Sequence, residues 1–207
     1  MSQLLGKDIE YISKFARRPG CDSKKGVWLV PMEDVTTRKY MFAARALQLR
    51  ETHLVLDLGA GCGNHLAALL EASKVKLVAQ DLLQSNLAHI KGLGLSNLVG
   101  VCAGDALQFL ETTPANTYDA VLSNYLIAVY PVPTRCKIVN LVMQAVRPLG
   151  KVWFGGNPYD SGFNESWWES FGVHADVEVY DEKSFFGESE YGREKVLTAI
   201  LTKHARM

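Results

Sequence analysis

The chain has 207 residues, of which 48% are hydrophobic and 21% are charged. These proportions are typical of a globular protein and exclude wholesale disorder, and the length suits one domain with a short extension. The 22 basic and 22 acidic residues give a formal net charge of zero, which argues against binding to nucleic acid by bulk electrostatics. The charge is uneven along the chain, because residues 1–50 carry 10 Lys and Arg against 5 Asp and Glu.

The sequence predicts neither a membrane span nor a leader peptide. No apolar run reaches the roughly 18 residues that a span requires. The opening MSQLLGKDIEYISKFARR lacks the apolar stretch of a signal peptide, and its acidic residues are untypical of a transit peptide. The four cysteines have no metal-ligand spacing, so we expect reduced thiols in a cytoplasmic protein.

Two helices are predicted before the first strand. Apolar residues recur at helical spacing over residues 5–16, and a second helical pattern covers residues 35–49, with Thr36 or Thr37 as its N-cap. We interpret residues 1–50 as an N-terminal helical cap or lid, and residues 51–207 as the body that binds the ligand. Basic residues of the cap are candidates for binding an anionic ligand group, although a solvated helix face is the commoner arrangement; they are Arg38, Lys39 and Arg45.

From residue 53 onward, short apolar runs alternate with helical stretches. The runs are residues 53–59, 75–81, 97–105, 118–124 and 150–156. Helical stretches are expected over residues 65–72, 84–91 and 134–146, and a turn over about residues 106–111. This alternation predicts a doubly wound, Rossmann-like α/β fold whose parallel sheet is covered on both faces. Two more strands, residues 173–180 and 195–204, are joined by a loop and are expected to pair antiparallel. The prediction is therefore a seven-stranded sheet with five parallel strands and a C-terminal antiparallel pair.

The most informative stretch is VLDLGAGCGNHLAALL, residues 55–70, where three glycines separate a strand from a helix: Gly59, Gly61 and Gly63. Glycine permits a tight turn, and the first N–H groups of the helix can then face a ligand. A dinucleotide-binding fingerprint needs glycine at position 64, where this chain has Asn64. A Walker loop needs a Gly-Lys-Ser/Thr ending, which is absent, so the loop matches neither motif. Asp57 would repel a pyrophosphate but attract an ammonium group. His65, at the start of the helix, is expected to pack or to face solvent.

With this loop, the chain resembles the class I S-adenosylmethionine-dependent methyltransferase superfamily. The motif DLGAGCG, residues 57–63, is similar to the cofactor loop of that family. The likeness continues with Asp81 after the second strand, with Gly104-Asp105-Ala106 after the third, and with YDAVLSN at the fourth. RPLGK, residues 147–151, resembles the turn before the fifth strand, except that Leu149 stands where the family usually has glycine. The resemblance covers about residues 50–205.

The resemblance implies a role for each matching residue. The methionine amino end of the cofactor would be held by Asp57 and the loop backbone, which comprises Gly59, Ala60, Gly61 and Gly63. The ribose hydroxyls would bind Asp81, and the adenine would contact Leu82, Asp105 and the N–H of Ala106. The candidate catalytic residues, which would face the methyl group, are Asn124 and Tyr125, and Asn124 would also contact the cofactor. Each carboxylate has a plainer alternative, which is to cap the turn or helix that follows it.

Aromatic residues after the fifth strand predict a pocket for the methyl acceptor, because a pocket lined by aromatic side chains excludes water and can hold a ring or a cation. The candidate substrate-binding residues are Tyr125, Tyr130, Asn157, Tyr159, Trp167 and Trp168. An alternative is that Trp167 and Phe171, four residues apart, form the core side of a short helix. Asn157-Pro158-Tyr159 is superficially similar to a sequence motif of amino-methylating enzymes. That motif belongs at the end of the fourth strand, however, and Asn-Pro is common in turns, which accounts for the sequence here.

The sequence therefore predicts an enzyme that transfers a methyl group from S-adenosylmethionine to a small molecule or a peptide, with S-adenosylhomocysteine as the product. Neither a metal-site cluster nor a general base is evident, so the rate is expected to come from positioning and desolvation. Neither nucleic acid nor a membrane is an expected partner, and the oligomeric state is not predicted. The alternatives are another transferase with the same cofactor, a non-catalytic cofactor-binding module that serves a partner enzyme, and a nicotinamide-dependent oxidoreductase, against which Asn64 argues.

Overall fold

The computed structural model of the chain describes residues 30–63, 65–159, 162–183 and 195–205. The helix predicted over residues 5–16 lies outside these ranges, as does Asn64 of the glycine loop. Within them, no helix is long and apolar enough to cross a membrane.

Helices and strands alternate along the described chain. The helices are α1 (Val30–Ala46), α2 (Leu66–Ser73), α3 (Gln84–Gly92), α4 (Ala106–Thr112), α5 (Val132–Ala145) and α6 (Glu165–Glu169). The strands are β1 (Leu54–Leu58), β2 (Lys76–Asp81), β3 (Leu98–Ala103), β4 (Tyr118–Asn124), β5 (Val146–Pro158), β6 (Ala175–Asp181) and β7 (Val196–Lys203). Short 3-10 turns occupy Ile127–Val129 and Ser170–Val173.

The strands form one seven-stranded sheet in the order β3-β2-β1-β4-β5-β7-β6. Strands β1 to β5 pair in parallel, whereas β7 lies antiparallel between β5 and β6. The structure thus confirms the predicted α/β fold, with five parallel strands and a C-terminal antiparallel pair. The strand order reverses between β1 and β4, and ligands of such sheets bind at the carboxyl ends of the strands that flank this point.

An apolar cluster covers each face of the sheet. Trp153 and Phe154 are neighbours in β5 but enter different clusters, because successive side chains of a strand point to opposite faces. On the Trp153 face, α1 contributes Tyr40, whose ring centroid lies 5.2 Å from that of Trp153. Helix α1 is therefore part of the packed body of the protein.

Two local predictions were wrong. Helix α1 begins at Val30 and has Pro31 in its first turn, where proline is tolerated, so Thr36 and Thr37 lie inside the helix and not at its N-cap. Cys62, which was expected to be a reduced thiol, is disulfide-bonded in the structure, whereas Cys102 and Cys136 are free. Residue spacing does not reveal such a bond, because it depends on which segments meet in space.

Candidate active site

The glycine loop follows β1 and is anchored to the end of β2. The backbone N–H groups of Gly59 and Ala60 both donate to the carbonyl oxygen of Gln80, at 2.9 and 2.8 Å. Gly63 has a φ of +70°, and a Cβ there would lie 2.5 Å from Cγ1 of Ile90, so α3 packs directly on the loop backbone. Gly61 also has a positive φ, of +56°, but a Cβ there would meet nothing within 4 Å. The loop therefore packs on α3 at one glycine and presents open backbone at another.

Asp81, at the end of β2, is buried and bonds the glycine loop to the start of α3. Its Oδ2 accepts from the N–H of Gly61 at 2.8 Å. Its Oδ1 accepts from the N–H of Leu83 at 2.8 Å and from the side-chain amide of Asn86 at 3.0 Å. Leu82 is partly buried against the core beside it. The N-cap of α3 is Leu83 and not Asp81, so the plainer alternative does not hold as stated, and the Asp81 carboxylate instead fixes the glycine loop through Gly61.

Asp105 follows β3 and caps α4, with its Oδ1 accepting from the N–H of Gln108 at 3.1 Å. Its Oδ2 accepts from the hydroxyl of Tyr130 at 3.0 Å. Burial raises the pKa of Tyr130, and the Asp105 carboxylate raises it further, so the phenol keeps its proton and donates. Arg135 in turn donates from Nε to the Tyr130 carbonyl at 2.7 Å. Tyr130, predicted to contact the acceptor, is therefore buried and bonded to the carboxylate that was predicted to bind adenine.

Asp57 lies within β1 and is completely buried. The hydroxyl of Tyr40, from α1, donates to its Oδ1 at 2.8 Å, and Nε2 of His65 lies 3.0 Å from its Oδ2. Burial, and then the Asp57 carboxylate, raises the pKa of Tyr40, so this phenol is also a neutral donor. The contact predicted for Asp57, with the amino end of the cofactor, would have to pass through these two neighbours.

The two candidate catalytic residues stand at the carboxyl end of β4. Oδ1 of Asn124 is a buried acceptor with no hydrogen-bond donor among the described residues. Tyr125 has a φ of +60° and donates its N–H to the carbonyl of Gly155 at 2.9 Å. A left-handed backbone is rare for a tyrosine and is held here by the neighbouring strand. The unusual turn sets the direction of the Tyr125 side chain.

A buried ion pair holds the Tyr125 ring in place. Nζ of Lys39, from α1, lies 2.6 Å from Oε2 of Glu182 and donates to the Tyr125 hydroxyl. Oε1 of Glu182 accepts from the N–H of Gly156 and from the hydroxyl of Thr198, both at 2.7 Å. The four side chains come from four places in the chain: Lys39 from α1, Tyr125 from the turn after β4, Glu182 from the residue after β6, and Thr198 from β7. We call this the Lys39–Glu182 network.

Sequence reasoning missed much of this network. Lys39 was considered only for an anionic ligand group, and Glu182 lies in a stretch that carries no recognisable pattern. No role for Tyr40 follows from the sequence, and His65 is expected to pack or to face solvent. The one feature of the sequence that could have indicated the network is the adjacent pair Lys39-Tyr40. In the structure the polar groups of both side chains point into the body of the protein, towards Tyr125 and Asp57.

The aromatic segment after β5 divides between core and surface. Trp168 is 0% exposed and lies between Phe154 and Phe163, with ring centroids 5.4 and 6.0 Å away. Trp167 is partly buried beside it. Because Trp168 has no exposed surface, its predicted direct contact with an acceptor is not supported. The alternative of a core helix named Trp167 and Phe171 as its core side, whereas the structure buries Trp168 and Phe171 and leaves Trp167 partly buried.

Two further residues of the predicted pocket lie at the pairing of β5 with β7. Asn157 is completely buried, and its side-chain amide donates to the carbonyls of Phe154 at 2.9 Å and Leu197 at 3.2 Å. It bridges an irregularity in the pairing, so a direct contact with substrate is not supported for Asn157 either. Tyr159 is 38% exposed, and the Lys195 ammonium lies 4.9 Å from its ring centroid. Among the described residues, no group of three or more His, Cys, Asp or Glu is placed to hold a metal ion.

Comparison with known proteins agrees with this geometry. Residues 55–150 match the family model described as a methyltransferase domain. No curated protein matches the chain. The fold is similar to that of the N-methyltransferase NodS from Bradyrhizobium japonicum, solved with S-adenosyl-L-homocysteine, with a TM-score of 0.70 and 13% identity over 93% of this chain and 97% of that one.

Two other solved structures show the same fold. One is a SAM-dependent methyltransferase from Archaeoglobus fulgidus, with a TM-score of 0.63 and 13% identity over 83% of this chain and 94% of that one. The other is the cyclase SpnF, with a TM-score of 0.62 and 16% identity over 81% of each chain. Identities this low establish a shared fold and leave the reaction to be argued from the site.

Proposed function

We propose that this protein is an enzyme that transfers a methyl group from S-adenosylmethionine to a small molecule or a peptide, because residues 55–150 match a methyltransferase-domain model and the seven-stranded sheet has the fold of the solved structures it resembles. The observation that carries the proposal is the arrangement at the carboxyl edge of the sheet. There, the carboxylates of Asp81 and Asp105 follow β2 and β3, beside the open backbone of Gly61. S-adenosylhomocysteine is the product.

The described residues fit the cofactor. Gly61 and Gly104 both have positive φ, and a Cβ on either would meet nothing within 4 Å, so backbone is exposed to a ligand at both places. Asp81 and Asp105 offer acceptor oxygens, and Oδ1 of Asn124 is a buried acceptor that still needs a donor. The cofactor has the ribose hydroxyls, the adenine amine and the ammonium group that such acceptors bind. Leu82 supplies an apolar contact beside Asp81.

When bound, the cofactor would supply an electrophilic methyl group, to which the acceptor would bond through its lone pair as the carbon–sulfur bond breaks and its electron pair stays on sulfur. The chain's own part is to orient the acceptor and exclude water, and orientation contributes on the order of 7–11 kcal/mol at best. Tyr125 is the residue we assign to this task. Its hydroxyl oxygen accepts from Lys39 and its backbone N–H donates to Gly155, and these two contacts fix the ring at the carboxyl edge of the sheet.

The acceptor site is proposed to lie at the same edge, between Tyr125 and the exposed Tyr159, with Trp167 as a partly buried wall. We leave Asn157 and Trp168 out of it because both are completely buried. Helix α1 brings Lys39 and Tyr40 to this edge as part of the packed body, and the interpretation of residues 1–50 as a cap or lid stays a prediction. The absence of a metal from the reaction and the cytoplasmic location stay predictions, as does the exclusion of nucleic acid.

The cofactor claim is tested by calorimetric titration with S-adenosylmethionine and with S-adenosylhomocysteine. We expect micromolar binding by the wild type and a loss of at least tenfold in Asp81→Ala, because each lost charge-assisted hydrogen bond costs about 1.5–3 kcal/mol. Asp176→Ala is the matched control, since its carboxylate is 81% exposed on β6. Equal binding by Asp81→Ala and the wild type, or no binding by either, would overturn the cofactor site.

The reaction is tested by incubating the enzyme with cofactor that carries a labelled methyl group and with cell extract, which is then split into protein, nucleic acid and small-molecule fractions. Label in the small-molecule or protein fraction is expected, and Tyr125→Phe should lower the rate while it keeps cofactor affinity. SpnF shows that this fold also hosts a cyclase, so tight binding without label in any fraction would favour a different reaction or a non-catalytic module. Label in the nucleic acid fraction would contradict the proposed acceptor class.

A further inference from the structure

The pair of Asp57 and His65 reaches the protein surface through the histidine alone. The side chain of Asp57 is 0% exposed, whereas that of His65 is 10% exposed. Both carboxylate oxygens of Asp57 already have neighbours, Tyr40 on one and His65 on the other. The charge of Asp57 can therefore act on a ligand at the glycine loop. Of the two side chains, however, only the imidazole has exposed surface that a ligand could contact.

The contact with Asp57 sets the tautomer of the neutral imidazole. Asp57 is an acceptor, so the proton of neutral His65 sits on Nε2 and a lone pair is left on Nδ1. No hydrogen bond to Nδ1 is found in the described part of the chain. The ring of Tyr40 stacks on the imidazole with centroids 3.8 Å apart, which holds the ring in one orientation.

We propose that His65 is the residue that receives the α-ammonium group of the cofactor, through Nδ1, while Asp57 acts only by holding Nε2–H. The inference rests on the proposed function and changes one role in it, since the sequence resemblance assigned the amino end to Asp57 itself. His65 directly follows the loop that the same resemblance assigns to the methionine end. Nδ1 is a lone-pair acceptor for an ammonium group, and Asp57 supplies the negative charge behind it.

This arrangement distinguishes ligands that carry an ammonium group from those that do not. The polar groups that contact the imidazole are Asp57 from β1 and Tyr40 from α1, and burial raises the pKa of Tyr40 so that this phenol stays neutral. A ligand with an ammonium group can donate a hydrogen bond to Nδ1, whereas a ligand without one gains nothing at this place.

The test compares two ligands by calorimetric titration of the wild type and of His65→Gln. S-adenosylhomocysteine has the ammonium group, and 5′-methylthioadenosine has the same adenosine thioether without the amino-acid part. We expect His65→Gln to weaken binding of S-adenosylhomocysteine about tenfold, as the loss of one hydrogen bond to a charged group predicts. Its affinity for 5′-methylthioadenosine should equal that of the wild type.

Tyr40→Phe is the matched variant, since it keeps the stacked ring and the imidazole and should keep the wild-type ratio of the two affinities. If His65→Gln does not fold, His65→Asn places a shorter neutral amide at the same position and takes its part in the comparison. An equal loss for both ligands, or no loss for either, would overturn this inference alone. No binding of either ligand by the wild type would overturn the proposed function as well.

Discussion

The ammonium of Lys39 lies 2.6 Å from the carboxylate of Glu182, and both side chains are only 4% exposed. This ion pair joins α1, which precedes the sheet, to the chain that follows β6. Taking two charges out of water costs several kcal/mol per ion, and further hydrogen bonds must offset it. Here Gly156 and Thr198 donate to Glu182, and Tyr125 accepts from Lys39. The pair therefore holds together the turn that carries Tyr125.

Lys39→Met is expected to lower the free energy of unfolding by about 3–5 kcal/mol, because it leaves a buried carboxylate without its cation. The double variant Lys39→Met/Glu182→Gln should be more stable than Lys39→Met alone, since both charges are then gone. Denaturant unfolding monitored by circular dichroism measures these values. Lys137→Met is the control, because Lys137 pairs with Glu111 on the surface and such pairs contribute about 0–1 kcal/mol. Equal losses at Lys39 and Lys137 would contradict the prediction.

Gly156→Ala is expected to slow methyl transfer about a hundredfold, the loss typical of a displacement of about 1 Å at a reacting centre. A Cβ at Gly156 would lie 2.3 Å from Cδ1 and Cε1 of Tyr125, so the ring has to move. Affinity for S-adenosylhomocysteine should change little, since Gly156 is not among the cofactor residues. Steady-state kinetics and calorimetry measure the two effects.

Gly162→Ala is the matched control for that variant. Gly162 also has a positive φ, of +88°, but a Cβ there meets nothing within 4 Å, so the substitution adds backbone strain without moving Tyr125. We expect it to destabilise the protein by about 1–2 kcal/mol and to keep the rate of methyl transfer. A similar loss of rate in both variants would show that strain alone, and not the position of Tyr125, explains the effect.

Leu149→Gly is expected to stabilise the protein by about 1 kcal/mol. Leu149 has a φ of +63°, a conformation that costs a residue with a side chain about 1–2 kcal/mol, and its side chain is 67% exposed, so little packing is lost. Thermal unfolding measures the gain. Leu149→Ala serves as the control, because alanine keeps the strain and should leave the melting temperature nearly unchanged. A gain of the same size with alanine would point to the loss of an exposed apolar side chain instead.

Stability is expected to decrease above about pH 10, with Tyr118 as one cause. Burial, and then the neighbouring Cys102, raises the pKa of Tyr118 to about 12. A pKa raised in the folded state stabilises the protein fully below the unfolded value of about 10, and that stabilisation is lost as the pH rises from about 10 to about 12. Free energies of unfolding from pH 8 to pH 11 should therefore fall less steeply in Tyr118→Phe. Tyr159→Phe, at an exposed position, should follow the wild type; identical slopes in all three would refute this cause.

Much of the sheet was predictable because its signals are local. Strands β1 to β5 appear in the sequence as apolar runs, because the strands of a parallel sheet are covered on both faces. Such a run can be identified without knowing which strand pairs with it. Asp81 and Asp105 follow directly from the positions at which β2 and β3 end. Leu149 was noticed only as a departure from the glycine of the family, and its positive φ now explains why glycine suits that place.

The division of the aromatic segment was not predictable in the same way. Trp167 and Trp168 are adjacent and chemically identical, so sequence alone cannot assign one to the core and the other to its edge. Asn164 caps α6 by accepting from the N–H of Trp167, and this start of the helix turns Trp168 inward onto Phe154. Asn157 shows the same limit, because only the irregular pairing of β5 with β7 gives its amide two carbonyls to bind.

The amino-acid sequence by itself determined the fold class, the glycine loop and the residues at the ends of β1 to β4, because each depends on neighbours within a few positions of the chain. Only the tertiary structure decided what surrounds them. Tyr125 is held by Lys39 and Glu182 through contacts between segments that are distant in the sequence, and Asp57 is enclosed by His65 at the start of the next helix and Tyr40 from the preceding one. The physical reason is that burying charged and hydroxyl groups requires partners, and those partners come from whichever element the packed fold brings within hydrogen-bond distance.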